Sequence, residues 1–162
     1  MIETTLCYLT VEGKTLMLYR NKKPSDPNAG KYIGLGGHLE DGETPLDCAI
    51  REVREESGLI LQNPAYRGIV DFLSDRWGDE RMHLFTAEAF TGEMIPCNEG
   101  ELRWLTQEEF DALPQWEGDR EFLRLLGEGV PWFELELHYQ GEHLTAAIRK
   151  DQSKPKAESG TL

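Results

Sequence analysis

Cysteine is scarce in this chain. Cys7, Cys48 and Cys97 are its three cysteines in 162 residues, too few and too scattered for a disulfide framework or a paired CxxC zinc site. A reducing compartment is therefore expected, with Cys48 an ordinary small residue. Basic residues are also short: 17 Lys and Arg stand against 30 Asp and Glu, for a formal net charge of -13. A duplex DNA or RNA surface needs a basic stripe, so no nucleic-acid polymer is expected as partner. A free nucleotide is still allowed, because a metal ion can supply positive charge locally. No apolar run reaches the length of a membrane span, and the first residues, MIETTLCYLTVEG, carry Glu3 where a signal peptide wants positive charge. The expectation is a cytoplasmic protein with no membrane partner. The length suits one domain with a sizeable core, and no internal repeat is present.

What the chain does have is concentrated between Gly37 and Leu59, GHLEDGETPLDCAIREVREESGL. Thr44 suits an N-cap, Pro45 the first helical position, and Asp47 completes a pattern like a capping box. Gly58 suits a C-terminal cap. Leu46, Ala49, Ile50 and Val53 fall at i, i+3, i+4 and i+7, which predicts an apolar stripe for packing. Glu52, Glu55 and Glu56 fall on an arc beside it, with Arg51 adjacent. Two readings of the cluster stand. A solvated acidic face costs only a few tenths of a kcal/mol per like-charged pair. However, these acids also lie toward the helix C-terminus, where the dipole opposes them. A hard divalent cation such as Mg2+ would turn both costs into attraction.

The remaining elements follow from period and punctuation. Residues 2–11 and 15–20 read as a hairpin around Glu12-Gly13-Lys14, and residues 24–30, PSDPNAG, as a loop. The glycines of KYIGLGGHLEDGE let main-chain atoms approach a metal or phosphate closely. Residues 66–74 and 82–90 read as strands joined by a turn around Asp75, Trp77 and Gly78, and residues 102–105 as a short strand. Residues 107–113 and 121–126 read as helices, and residues 132–139 and 144–148 as a second hairpin. The stretch from residue 150 lacks apolar anchors and is expected to be a disordered tail. Strands alternating with a few helices give an α/β class.

Nine residues of the acidic stretch, Gly37, Glu43, Arg51, Glu52, Val53, Glu55, Glu56, Gly58 and Leu59, match G-x5-E-x7-R-E-U-x-E-E-x-G-U, with U a bulky aliphatic residue. This resembles the signature of the Nudix hydrolases, without a mismatch. The resemblance implies an α/β/α sandwich with a mixed β-sheet over residues 1–149. It also implies an enzyme that cleaves nucleoside diphosphates linked to another group. By carry-over, Glu52, Glu55 and Glu56 hold Mg2+, with Mn2+ as the alternative ion, and the carbonyl of Gly36 is a further ligand. Arg51 orients a glutamate, Glu43 supports it, and Gly37 admits the substrate.

Outside the signature the chain resembles the MutT-type oxidised purine nucleoside triphosphatases, which clear 8-oxo-dGTP to a monophosphate and pyrophosphate. The similar pieces are Lys22-Lys23, the segment CNEGELRWL and Trp116-Glu117-Gly118-Asp119. They imply Lys23 at the polyphosphate, Arg20 and Lys22 being further basic candidates. Glu99, with Glu101 as competitor, would approach the metal from an opposite loop. Trp116 would stack on the base or else belong to the core. Asp119 would hydrogen-bond the base edge or else cap the next helix. A carboxylate there would favour 8-oxoguanine, whose N7 carries a hydrogen, over guanine, whose N7 is an acceptor. Such sites can discriminate by on the order of 10^4. Ile33 departs from this group, some of whose members carry a base-reading Asn there. Glu52, then Glu99, are the candidate general bases. ADP-ribose or a dinucleotide polyphosphate is the rival substrate, a non-hydrolytic sensing module the rival class, and monomer and homodimer are both open.

Overall fold

The structure, a computed structural model, describes residues 1–152. Most of the expected tail, residues 153–162, lies outside the described residues. Lys150 and Asp151 are not loose: the Lys150 amide donates to the Glu134 carbonyl at 2.7 Å, and Asp151 accepts from the Glu134 amide at 3.0 Å.

In chain order the elements are β1 (Ile2–Val11), β2 (Lys14–Tyr19), β3 (Tyr32–Ile33), α1 (Pro45–Ser57), β4 (Ile60–Gln62), β5 (Ala65–Ser74), β6 (Glu80–Ala87) and β7 (Ala89–Thr91). They continue with β8 (Glu101–Thr106), α2 (Gln107–Asp111), α3 (Asp119–Gly127), β9 (Phe133–Gln140) and β10 (His143–Arg149). The first hairpin turns on two residues, Glu12 and Gly13, both at positive φ, so Lys14 already pairs with Val11. The expected strand over residues 82–90 is broken at Glu88 into β6 and β7. β3, β4 and β7 have only two or three residues each, too few to show a period in the sequence.

The main sheet runs β10-β9-β5-β6-β1-β2-β3, with β8 also on β2. It is mixed: β1 with β6 and β5 with β9 are parallel, and the other pairs are antiparallel. Alternation along β1 and β6 splits the core between two faces. Cys7, Leu9, Phe85 and Ala87 pack with Ala49 and Val53 of α1. Leu6, Tyr8, Met82 and Leu84 pack with Phe110 of α2 and with Phe122 and Leu125 of α3. Helices therefore cover both faces, as the α/β/α expectation required. Each large apolar side chain so buried contributes roughly 1.5–3 kcal/mol.

Two anchors on β1 position the site. The glycine-rich loop lies along its free edge, where Cys7 and Leu35 exchange backbone hydrogen bonds of 2.6 and 3.2 Å, the Thr5 amide donates to the Gly37 carbonyl (2.9 Å) and the Leu39 amide to the Glu3 carbonyl (3.1 Å). Helix α1 lies across the same strand. Its ends are as the sequence indicates: the Thr44 hydroxyl accepts the Asp47 amide, Pro45 opens the helix, and Gly58 closes it at φ 80° with its amide on the Arg54 carbonyl. The buried face differs from the expected stripe. Leu46 is 43% exposed, and the buried residues are Cys48, Ala49, Val53, Glu56 and Ser57. The face has turned toward the 48-52-56 ridge because polar groups meet it there: the Thr5 hydroxyl lies 3.3 Å from the Cys48 sulfur, and the Gly36 amide donates to Glu56.

Candidate functional site

The turn of α1 facing the glycine loop carries the acids. Glu56 is 5% exposed, and Gly36 N–H donates to its Oε1 at 2.9 Å. Burial, then the neighbouring Glu52, push its carboxyl up to about 8. Glu52 is also raised, first by burial and against the pull of Arg51, with Glu55 and Glu99 adding repulsion. Glu99 comes from the loop before β8 and pairs with Arg20 Nη2 at 2.7 Å, while Arg20 Nε holds Asp26 at 2.6 Å. Lys22 pins the same loop by donating to the Cys97 carbonyl at 2.8 Å. Glu55 lies at the exposed rim, 3.2 Å from Arg51.

Arg51 ties the helix to the loop before it. It grips Glu43 with two bonds of 2.7 and 2.9 Å, donates to the His38 carbonyl at 3.1 Å and reaches Glu52 at 3.4 Å. The Arg51 bonds hold the Glu43 carboxyl down at about 2. The signature spacing from Glu43 to Arg51 is thus the reach of one ion pair across the helix N-terminus.

Among the described residues no three acidic, His or Cys side chains are already closed around a point that a metal ion could take. Arg51 draws Glu52 and Glu55 one way and Arg20 draws Glu99 the other. The donor set nevertheless fits a hard divalent cation. It consists of carboxylate oxygens, those of Glu52 and Glu56 raised in pKa first by burial and then by neighbouring acids, and Glu56 is almost fully buried on a single amide donor. The Leu35 and Gly37 carbonyls accept from β1, whereas the Gly36 carbonyl has no backbone partner among the described residues.

From this acid end a cavity of about 690 Å³ runs along the α3 side of β1. Arg20, Gly36, Gly37, Glu52 and Glu99 line one end, and Asn28, Trp116, Asp119 and Tyr139 the other. Ile33, Phe72 and Met82 add apolar wall. Asp119 is 4% exposed, and its side chain has no hydrogen-bond or ion-pair partner among the described residues. Burial, then the charge of Glu80, push its carboxyl up to about 8, with Lys31 opposing. It does not cap α3: the N-cap position is Gly118, whose amide donates to the Tyr139 hydroxyl at 2.6 Å. Trp116 packs against the core and also lines the cavity. Its Nε1–H donates to Asn28 Oδ1 at 2.8 Å, and the Lys31 ammonium lies 4.3 Å from its ring centre.

Other expected residues are placed elsewhere. Lys23 is exposed in a turn, its carbonyl accepts the Asp26 amide, and it does not line the cavity; of the three basic candidates before the glycine loop Arg20 does, and Arg51 of α1 lines it as well. Glu101 points to Asn21 and Arg103 on the surface, leaving Glu99 at the cavity. Asn28 had no signal in the sequence beyond its place in a turn-forming loop. The two adjacent glycines of the loop are constrained differently. A Cβ on Gly36 would overlap the Thr5 backbone carbonyl, and a Cβ on Gly37 would overlap the Glu52 carboxylate.

Residues 3–126 match the family model described as NUDIX domain. The chain is 32% identical over 131 residues to an uncharacterized Nudix hydrolase, YvcI, of Bacillus subtilis, covering 77% of this chain and 78% of that protein. It is 29% identical over 136 residues to an oxidized purine nucleoside triphosphate hydrolase of Danio rerio, covering 82% and 78%. It is also 32% identical over 117 residues to an NAD-capped RNA hydrolase of Stutzerimonas stutzeri, covering 70% of this chain but 40% of that protein. The crystal structure of a MutT protein from Bacillus halodurans superposes with a TM-score of 0.82 at 25% identity, covering 94% of this chain and all of that one.

Gly36→Ala and Gly37→Ala are expected to separate stability from activity. The first drives a methyl into backbone and should cost about 2 kcal/mol or more in a urea melt. The second displaces only the end of a flexible side chain. It should leave the melt within about 1 kcal/mol of wild type while lowering turnover by on the order of 10^2 through the shift of Glu52. Asp119 gives a pH-dependent counterpart. Its folded pKa of about 8 lies above its ordinary 3.8, so folding takes up a proton and stability falls as pH rises from about 4 to about 8. Asp119→Asn should therefore be more stable than wild type, by a margin that grows across that window to on the order of a few kcal/mol. Melts at pH 5 and pH 8 showing the same margin would contradict this.

Proposed function

Since the chain belongs to the Nudix hydrolases, enzymes acting on nucleoside diphosphate derivatives, we propose that it is an oxidised purine nucleoside triphosphate pyrophosphohydrolase, releasing a nucleoside monophosphate and pyrophosphate. One observation carries this reading: a single cavity joins a turn rich in carboxylates to a buried, unpartnered carboxyl beside an aromatic ring. The similarity to the Danio rerio hydrolase supports it.

At the acid end Glu52, Glu56 and Glu99, with Glu55 at the rim and the Gly36 carbonyl, would hold Mg2+ or Mn2+. Hydrolases of this family use divalent metals. When bound, the ion supplies charge neutralisation at the phosphates and a lowered pKa for a coordinated water. The chain's own groups do the rest. Arg51 fixes the helix turn to the glycine loop through Glu43. Arg20, already inside the cavity, is the protein cation that meets the polyphosphate. Glu52 takes the proton from the attacking water, with Glu99 the second choice.

At the other end the base lies against Trp116, with Asp119 on its edge. The raised pKa changes the expected argument in form, though not in direction. Up to about pH 8 Asp119 is a neutral acid with one O–H donor and one acceptor. The 8-oxoguanine edge, with O6 as acceptor and N7–H as donor, complements it. Guanine presents two acceptors, O6 and N7, and leaves the acid's own acceptor unpaired.

Pyrophosphate and phosphate release from normal and oxidised dNTPs, ADP-ribose and diadenosine polyphosphates, in Mg2+, tests the substrate. The highest kcat/KM is expected for 8-oxo-dGTP. The similarity to NAD-capped RNA hydrolases favours the second reading, another nucleoside diphosphate derivative; faster cleavage of ADP-ribose or dinucleotides would select it. Tight nucleotide binding with no product over hours would select a sensing module instead. Glu56→Gln should cut turnover by about 10^3 or more with an unimpaired melt, and near-normal activity would remove the metal assignment.

A further inference from the structure

A neutral Asp119 leaves one ambiguity. Adenine offers an N6–H donor and an N7 acceptor, which also complement an acid carrying one donor and one acceptor. Asp119 can therefore separate 8-oxoguanine from guanine but not from adenine, whose 6-amino group replaces the 6-carbonyl. The wall residue Ile33 has no hydrogen-bonding side chain to do so.

Asn28 does. It lines the same end of the cavity as Trp116 and Asp119. Asn amides are ordinarily ambiguous in orientation, but indole N–H is only a donor, so its 2.8 Å bond fixes Oδ1 on Trp116 and leaves Nδ2 on the other side. Nδ2 donates to nothing among the described residues, so a residue that lines the cavity carries two unpaired N–H donors of fixed polarity. The residue is also held from below. The Asn28 amide donates to Asp26 Oδ1 at 3.0 Å, and Asp26 Oδ2 accepts from Arg20 Nε at 2.6 Å. Arg20 in turn reaches Glu99 at 2.7 Å. A continuous chain of hydrogen bonds thus places Asn28 relative to both ends of the cavity.

We infer that Asn28 is a specificity residue whose Nδ2 donates to the second lone pair of a purine 6-carbonyl, so that the pocket accepts 6-oxopurine nucleotides and rejects 6-aminopurines, whose amine would face another donor. This rests on the nucleotide reading above.

The test is the ratio of kcat/KM for two matched pairs, deoxyinosine triphosphate against dATP and 8-oxo-dGTP against 8-oxo-dATP, in wild type, Asn28→Asp and Asn28→Ser. Asn28→Asp keeps the acceptor for Trp116 and replaces only the donor end. It should shift both ratios toward the 6-amino member by at least about 10-fold, and Asn28→Ser should shift them in the same direction by less. A ratio is unaffected by the fraction of enzyme folded, so a merely structural role would lower both members equally. Wild-type preference for the 6-oxo members that persists unchanged in both variants would overturn the role of Asn28 and leave the nucleotide reading intact. A wild type that does not distinguish the pairs would overturn it as well. Failure to cleave any nucleoside triphosphate would overturn both.

Discussion

A carboxylate taken almost wholly out of water, next to two others, is the constraint around which this fold is arranged. Glu56 is 5% exposed, on the face of α1 that packs toward β1, and one amide, that of Gly36, is its hydrogen-bond donor. Burying such a group is costly unless something positive meets it. The surrounding structure keeps it there: the glycine loop is hydrogen-bonded along β1, α1 is capped at both ends, and Arg51 joins loop to helix through Glu43. Gly36 and Gly37 are glycines for two different reasons, room for the sheet and room for Glu52.

The two arginines divide the electrostatic work. Arg51 joins helix to loop through Glu43 and the His38 carbonyl and also holds Glu52 and Glu55. Arg20 faces the cavity and couples its ends, with Glu99 on one side and Asp26, Asn28 and Trp116 on the other. Asp119 shows a second cost of the same kind, a buried carboxyl at the N-terminus of α3. The helix dipole favours a negative charge there, yet desolvation is the larger effect and the group is raised to about 8. Asp119 lines the cavity and Glu56 lies one helical turn behind its wall residue Glu52, and perturbed carboxyls of this kind commonly mark function.

Much of this was legible in the sequence where the chemistry is local. Thr44, Pro45 and Gly58 act within a few residues of themselves, so the ends of α1 could be read directly. The long strands showed their period, whereas β3, β4 and β7 are too short to have one. Sheet order, with β1 parallel to β6, depends on pairings far apart in the chain that no local pattern encodes. Hydrophobicity alone puts Leu46 inside the apolar stripe and cannot reveal that Thr5 and Gly36 offer polar partners to the neighbouring ridge. Among Arg20, Lys22 and Lys23, adjacency gave no means to say which turns inward; the structure gives Arg20 to the cavity, Lys22 to a carbonyl and Lys23 to solvent. Asn28 has its role only through a tryptophan 88 positions away.

We propose the buried turn of α1 as the seat for divalent cations. Electron paramagnetic resonance of free Mn2+ during titration into the protein tests it most directly. Depletion of the free-ion signal by wild type, reversed by Mg2+ and lost in the double variant Glu52→Gln, Glu56→Gln, is the predicted result. Equal depletion by wild type and the double variant, or none by either, would contradict it.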